Sequence, residues 1–324
     1  MTTEQIDYNA MPIRDRMKMV GDLYVKRDIG DEIHTCLDER REESLLLPEP
    51  EGVLIIGDTG TGKTSLLDNY RAKNPAERRD GIVCRPFLLT SIPAKASMNS
   101  LASTMLKDLG DPSPHSGNLA QKTDRVQTQL RLQQVEIVAF DEFQHMVEAT
   151  GKDGLVRVSD WIKAQMKDVG IPFAICGLPH TGKILAVNRQ LARLCPFHYS
   201  LGPFSWSEDT SRKDFRMFLG RLDKRLPFNQ QSQMGDPDLA MRIFAATEGK
   251  LFRIAMLVRT AAFNAIRKGK DSVEMQHFAY AYETKVAAAN GDRANPFTMD
   301  NKGVARELNQ LLNRETKKSK KKAA

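Results

Sequence analysis

The chain has 324 residues, 41% of them apolar and 27% charged, a composition that suits two packed domains and excludes disordered and fibrous classes. Lysine and arginine number 48 against 41 aspartates and glutamates, a net charge of +7. Five of those lysines (Lys317, Lys318, Lys320, Lys321 and Lys322) stand at the very end, so the body is close to neutral.

Nothing approaches the roughly 20 apolar residues of a membrane span, and no apolar run near the start reads as a signal peptide. Cys36, Cys84, Cys176 and Cys195 are scattered without a C-x-x-C pair and read as small buried hydrophobes rather than a disulfide frame or zinc site. A soluble, cytoplasmic protein with no membrane partner is expected.

The first 20 residues carry Arg14, Arg16, Lys18 and several methionines without a clear period, and read as an arm or short docking helix. From 28 to about 46 the pattern is helical, with Ile29, Ile33, Cys36 and Leu37 on one side, and Pro48 and Pro50 end it. Residues 52–57 (GVLIIG) form an apolar run of buried-strand type, and a helix starting at 62–63 carries Leu66, Leu67 and Tyr70. Residues 82–92 predict a second strand, which Pro86 interrupts or confines to a sheet edge.

Helices are predicted at 98–109 and 121–134, with a turn-rich loop (DPSPHSGN) at 111–118 between them. Two further core strands at 135–140 and 171–177 enclose a helix at 156–169. A helix over 182–194 and a strand over 197–204 complete the alternation. Strands alternating with helices imply a mostly parallel sheet with helices on both faces, an α/β fold.

Beyond 206 the strand signals stop and helices fit 208–225, 236–246, 250–267 and 273–288, with Asp236-Pro237 and residues 271–274 resembling helix starts. The expected domains are an N-terminal arm and helix (1–48), a nucleotide-binding α/β domain (49–206), a small all-helical domain (207–289) and a linker, short helix and lysine-rich tail (290–324). In the last, Val304, Leu308, Leu311 and Leu312 form a stripe too short to make a stable helix alone.

Gly57, Asp58, Thr59, Gly60, Thr61, Gly62, Lys63 and Thr64 match G-x-x-x-x-G-K-[ST] between an apolar strand and a helix, with Ser65 next in the first turn. Glycines let several N–H groups face one anion, and the helix start adds unpaired donors and partial positive charge. Lys63 is placed to reach β and γ phosphates, and the Thr64 hydroxyl to ligate Mg²⁺. The strand Ile137-Val138-Ala139-Phe140 ends in Asp141 and Glu142. That arrangement puts Asp141 opposite Thr64 as a second Mg²⁺ ligand and leaves Glu142 one residue farther out to polarise water. ATP and Mg²⁺ are the expected ligands, and a paired acid points to hydrolysis. His145 completes D-E-x-x-H, but a zinc hydrolase needs two histidines four apart on a helix, so that reading is not supported and His145 reads as a structural residue beside the site.

With the phosphate loop (GDTGTGKT, 57–64), AFDEFQHM (139–146), GLPHTGKIL (177–185), NRQLAR (188–193) and a segment centred on Tyr24, the chain resembles AAA+ ATPases. More narrowly, over roughly 20–288, it resembles the TniB/TnsC group of transposition regulators. The resemblance implies a P-loop NTPase of AAA+ type with a helical lid, assembled as a homo-oligomeric ring or helical filament. It implies a trans-acting arginine near the end of the helix after the fourth strand, here Arg189 or Arg193, although relatives often carry a further arginine where this chain has Leu194. It also implies that Arg253, at the start of the third lid helix, senses the γ-phosphate. The polar sensor after the fourth strand has no obvious counterpart, Cys176 and His180 being weak substitutes.

The implied function is an ATP-dependent regulator that oligomerises on duplex DNA, marks a target with a target-selection protein, recruits or activates the transposase, and is taken apart by hydrolysis. The alternative is a protein-remodelling or helicase-loading ATPase of the same fold, and a third is a scaffold that binds ATP but barely turns it over. DNA contacts would be to phosphates, since no recognition helix or zinc finger is present. Lys95, Lys122 and Arg125, together with Lys107 and Arg131, lie between the second and third strands. Lys317 and Lys318 represent the tail, which could equally solubilise the chain end or dock an acidic partner.

Overall fold

Val53–Gly57 forms the first strand, β1, and it is apolar throughout because packed helices cover both faces of the sheet it enters. The computed structural model describes residues 6–94, 96–290 and 293–323, with side chains as far as residue 313 apart from that of 289. Further strands are β2 (Glu77–Arg79), β3 (Ile82–Cys84), β4 (Phe87–Ser91), β5 (Ile137–Asp141), β6 (Phe173–Gly177) and β7 (Phe197–Leu201). Five of them make a parallel sheet in the order β4-β5-β6-β1-β7, and β2 pairs antiparallel with β3.

The period-two alternation of β1 divides the core. Val53 and Ile55 face the helices Asp28–Glu43 and Lys63–Lys73, packing with Ile33, Leu37, Leu67 and Tyr70. Leu54 points to the opposite face, among Leu88, Val138, Phe140 and Ile175 and side chains of the helices Met98–Asp108, Leu119–Leu132 and Lys152–Val169. Truncating a fully buried member such as Leu67 to alanine would cost about 2–5 kcal/mol. Because the strands are parallel, their carboxyl ends lie along one edge, where open α/β sheets bind ligands.

The chain divides into two compact units, Asp28–Gly202 and Met1–Arg27 together with Pro203–Ala324. The sequence boundaries at 48/49, 206/207 and 289/290 differ from this division for a packing reason. The helix Ile13–Gly21 puts Val20 into the helical core beside Leu257 and Val258, and Arg16 Nε donates to the Pro227 carbonyl at 3.1 Å. The helix Asp28–Glu43 packs on the sheet instead. At the other end, Phe297 and Leu308 enter the helical core, and Arg242 holds the carbonyls of Pro296 and Met299 at 2.6 and 2.8 Å. The linker and apolar stripe are therefore part of the helical unit, and the stripe lies in a helix, Asn301–Ala323, that contacts Pro237–Thr247.

Other differences follow from single residues. The strand expected over 82–92 is two strands: Pro86, lacking an N–H, separates β3 from β4. The helix expected over 182–194 is broken into Pro179–Gly182, Lys183–Ala186 and Arg189–Leu194, because Asn188 accepts from the N–H groups of Gln190 and Leu191, both at 3.1 Å, and starts a new helix. The strand β2, wholly exposed and polar, and the helix Gln144–Ala149 carried no apolar period to announce them. No helix among the described residues is long and apolar enough to cross a membrane.

Candidate active site

The loop after β1 is shaped by three glycines. A Cβ on Gly57 would stand 2.5 Å from the Leu201 carbonyl and 2.7 Å from Thr61 Oγ1, so no side chain fits where β1 runs beside β7. Gly60 and Gly62 have φ of 78° and 91°, the left-handed region that lets the loop reverse into the helix Lys63–Lys73. Gly62 offers that helix no side-chain cap, so the first-turn N–H groups of Lys63, Thr64 and Ser65 face the loop. Lys63 is 6% exposed, and its Nζ donates to the carbonyls of Gly57 at 2.7 Å and Asp58 at 3.0 Å, which extends the side chain under the loop. Thr61 Oγ1 donates to the Asp58 carbonyl at 2.9 Å, while Asp58, Thr59, Gly60, Thr64 and Ser65 are exposed. The result is an array of backbone donors with positive charge, suited to a polyphosphate.

Asp141 ends β5, is 2% exposed, and accepts from the Thr64 hydroxyl at Oδ2 over 2.6 Å and from the Glu142 N–H at Oδ1 over 2.8 Å. A hydroxyl and one carboxylate side by side are hard oxygen donors that fit Mg²⁺, an ion that takes one or two carboxylates and completes its shell with phosphates and water. On the adjacent strand, burial pushes the Cys176 thiol far above its usual range, and the Asp141 charge adds to the effect, so it is a neutral neighbour rather than a polar sensor. His180 lies on the turn Pro179–Gly182 and pairs with Glu148 at 2.8 Å, the partner that also approaches His145 at 3.8 Å. No group of three or more His, Cys, Asp or Glu poised for a metal occurs among the described residues.

Glu142 has φ of 56°, left-handed for a residue with a side chain, which redirects the chain as β5 ends. Its Oε2 accepts from Gln144 Nε2, and the side chain is 40% exposed. Gln144 was not singled out from the sequence; its only signal was its place two residues after the acids.

Other sequence candidates are placed elsewhere. Arg189 is exposed, with no partner among the described residues, whereas the exposed Arg193 pairs with Glu49 at 2.7 Å. The hydrogen bond from Lys167 holds the Glu49 carboxyl below its usual range against an opposing effect of burial, and Arg193 adds to the lowering. Arg253 belongs to the helical unit, where its Nη1 donates to Asn290 Oδ1 at 2.8 Å and lies 3.4 Å from Glu248.

Two of the expected DNA contacts are engaged within the protein. Lys122 is 3% exposed and its Nζ donates to Asn99 Oδ1 at 3.0 Å, joining two helices beneath the surface. Arg125 binds Asp111 through two nitrogens and the carbonyls of Ser113 and Ser116 at 2.8 and 2.9 Å, so its fork staples the loop at 111–118. Lys95 lies outside the described residues, as do the side chains of Lys317 and Lys318.

A parallel sheet covered on both faces, a phosphate loop leaving β1 and an acid pair ending β5, with a separate helical unit, define an AAA+-type P-loop NTPase fold. Residues 24–200, more than half of the chain, match the family described as Bacterial TniB protein, and the chain belongs to that family. No curated protein matches the sequence.

Among solved structures, the Aeropyrum pernix ORC2 protein in ADPNP–ADP complexes is similar with a TM-score of 0.62 at 15% identity, covering 84% of this chain and 72% of that one. The Aeropyrum pernix ORC1 protein in complex with DNA gives 0.53 at 18% identity, covering 83% and 68%. Cdc6p from Pyrobaculum aerophilum gives 0.57 at 14% identity, covering 82% and 69%.

Proposed function

We propose that this protein hydrolyses ATP to ADP and phosphate and works as a homo-oligomer on duplex DNA. The observation that carries the hydrolytic reading is the 2.6 Å contact between Thr64 Oγ1 and Asp141 Oδ2 beside Lys63 and Glu142. Lys63 and the N–H groups of the 57–65 segment bind the triphosphate. Thr64 and Asp141 would hold Mg²⁺, which when bound neutralises charge on the β and γ oxygens. Glu142 orients water for attack and takes its proton, help typically worth about 10²–10⁴ in rate.

An arginine from a neighbouring subunit completes the charge neutralisation, and Arg189 is the better candidate, since Arg193 already has an acidic partner in its own chain. Arg253 serves the lid side, coupling nucleotide state to its Glu248–Asn290 contacts.

Membership of the TniB family supports the finer reading: an oligomer on duplex DNA that marks a target with a target-selection protein and recruits the transposase, with hydrolysis driving disassembly. The second reading, a helicase-loading or protein-remodelling ATPase, draws on the likeness to ORC and Cdc6 proteins, one of them in complex with DNA. Turnover assayed with duplex DNA, with purified cognate transposase and with a helicase separates them. Stimulation by duplex DNA and ATP-dependent binding of transposase support the first reading; stimulation by a helicase without either supports the second.

A further inference from the structure

Gln144 opens the helix Gln144–Ala149, is 4% exposed, and lies between the ends of β5 and β6. Its Nε2 donates to Glu142 Oε2, and its Oε1 accepts from the Leu178 N–H at 3.2 Å. The orientation of the amide follows from its partners: a backbone N–H requires the oxygen, which turns the nitrogen toward a carboxylate that only accepts. The strand end is shaped for this contact. A Cβ on Gly177 would stand 2.7 Å from Gln144 Oε1 and 2.4 Å from Thr181 Oγ1, so glycine there is what lets the amide reach the backbone. The Phe143 N–H donates to the Cys176 carbonyl at 2.9 Å and fixes the spacing between the two strand ends.

We infer that Gln144 is a positioning residue for hydrolysis, aiming the Glu142 carboxylate and tying that aim to residues 178–182, the turn that follows β6. A carboxylate 40% exposed on a flexible side chain samples many directions, and a buried amide anchored at its other end to backbone removes most of them. Displacement of the turn by a bound partner would pull on the same amide and change the aim of Glu142, which gives the turn a route to the chemistry without touching nucleotide. The inference rests on Glu142 acting in hydrolysis.

The test compares the full-length protein with Gln144→Leu, Gln144→Glu, Glu142→Gln and the Gln144→Leu/Glu142→Gln pair, by steady-state ATP turnover, ATP binding, thermal unfolding and hydrogen exchange at the Leu178 amide. Gln144→Leu should lower kcat about tenfold or more with ATP affinity and unfolding midpoint unchanged, and should speed exchange at Leu178. Gln144→Glu, which keeps an acceptor for Leu178 but loses the donor to Glu142, should lower kcat while leaving that exchange slow.

The double variant should be no slower than Glu142→Gln alone, because a residue acting through Glu142 has nothing left to act on. Equal kcat in wild type and Gln144→Leu, or a double variant clearly slower than Glu142→Gln, overturns the positioning role and leaves the hydrolytic reading intact. Turnover that survives Glu142→Gln overturns both.

Discussion

The Thr64 hydroxyl and the Asp141 carboxylate meet at 2.6 Å although 77 residues separate them along the chain. The helix Lys63–Lys73 starts where β1 ends, and Asp141 is the last residue of β5, one strand removed from β1 in the sheet. Thr64→Val should therefore weaken Mg²⁺-dependent ATP binding more than binding measured in a chelator, since Lys63 and the loop N–H groups are untouched. Titration of a fluorescent ATP analogue with and without Mg²⁺ checks this, and equal losses in both would remove Thr64 from the metal.

Glu142→Gln should leave ATP affinity within about twofold and reduce phosphate release by about two to four orders of magnitude. The substitution keeps side-chain size and an acceptor for Gln144 while removing the proposed base. Unchanged phosphate release would take Glu142 out of the reaction.

The phosphate loop and the acid pair were legible because each is a local pattern: glycines where the backbone must reverse, and an apolar run ending in two acids. Gln144 was not, since its role exists only where β5 and β6 end side by side, a relation no spacing records. The partners of Lys122 and Arg125 were hidden for the converse reason. A cation in a polar stretch looks the same whether it faces solvent or, as here, satisfies Asn99 and Asp111. The first 20 residues form the short docking helix that was one of the two expected readings, but its docking site was not legible, since Val20 and Arg16 find partners more than 200 residues later.

Arg189 is exposed and pairs with no side chain among the described residues, whereas Arg193 is held by Glu49, which is why Arg189 is the proposed trans residue. Arg189→Ala should abolish stimulated turnover, whereas Arg193→Ala should reduce it by no more than about threefold, as expected for loss of an exposed ion pair. Mixing Arg189→Ala with Lys63→Ala should restore part of the turnover, because each supplies what the other lacks at a shared interface. Absence of complementation in the mixture would argue against a trans role for Arg189.

His277 gives the helical unit a dependence on pH. It is fully buried, and its Nδ1 accepts from the Glu274 N–H at 2.9 Å, so protonation would set two N–H groups against each other. Burial holds the imidazole below its ordinary value of about 6.5; Glu274 opposes the shift, and Lys268 and Lys270 add to it. A base whose folded value is depressed binds fewer protons folded than unfolded once the pH drops below the unfolded value. Its stabilising contribution is therefore complete above about 6.5 and declines as the pH falls toward the folded value. Thermal unfolding between pH 8 and pH 5 should show this loss, and His277→Gln, which keeps an acceptor for Glu274, should flatten it. Parallel curves for the two proteins would remove His277 as the cause.

The chain end separates into a part that packs and a part that is charged. Val304 and Leu308 are buried, and Leu308 joins the helical core, so truncation before residue 303 should lower the unfolding midpoint and confound any test of partner binding. Removal of 314–324 leaves those residues in place and should spare both folding and ATP turnover. The proposed duplex contacts include the five tail lysines, Lys317, Lys318, Lys320, Lys321 and Lys322. If all five contribute, log–log salt dependence of duplex binding should become shallower by about 4.5 in slope on truncation, equivalent to roughly 500-fold between 50 and 200 mM salt. An unchanged slope, measured by fluorescence anisotropy on a labelled duplex, would place the DNA contacts on the body of the protein.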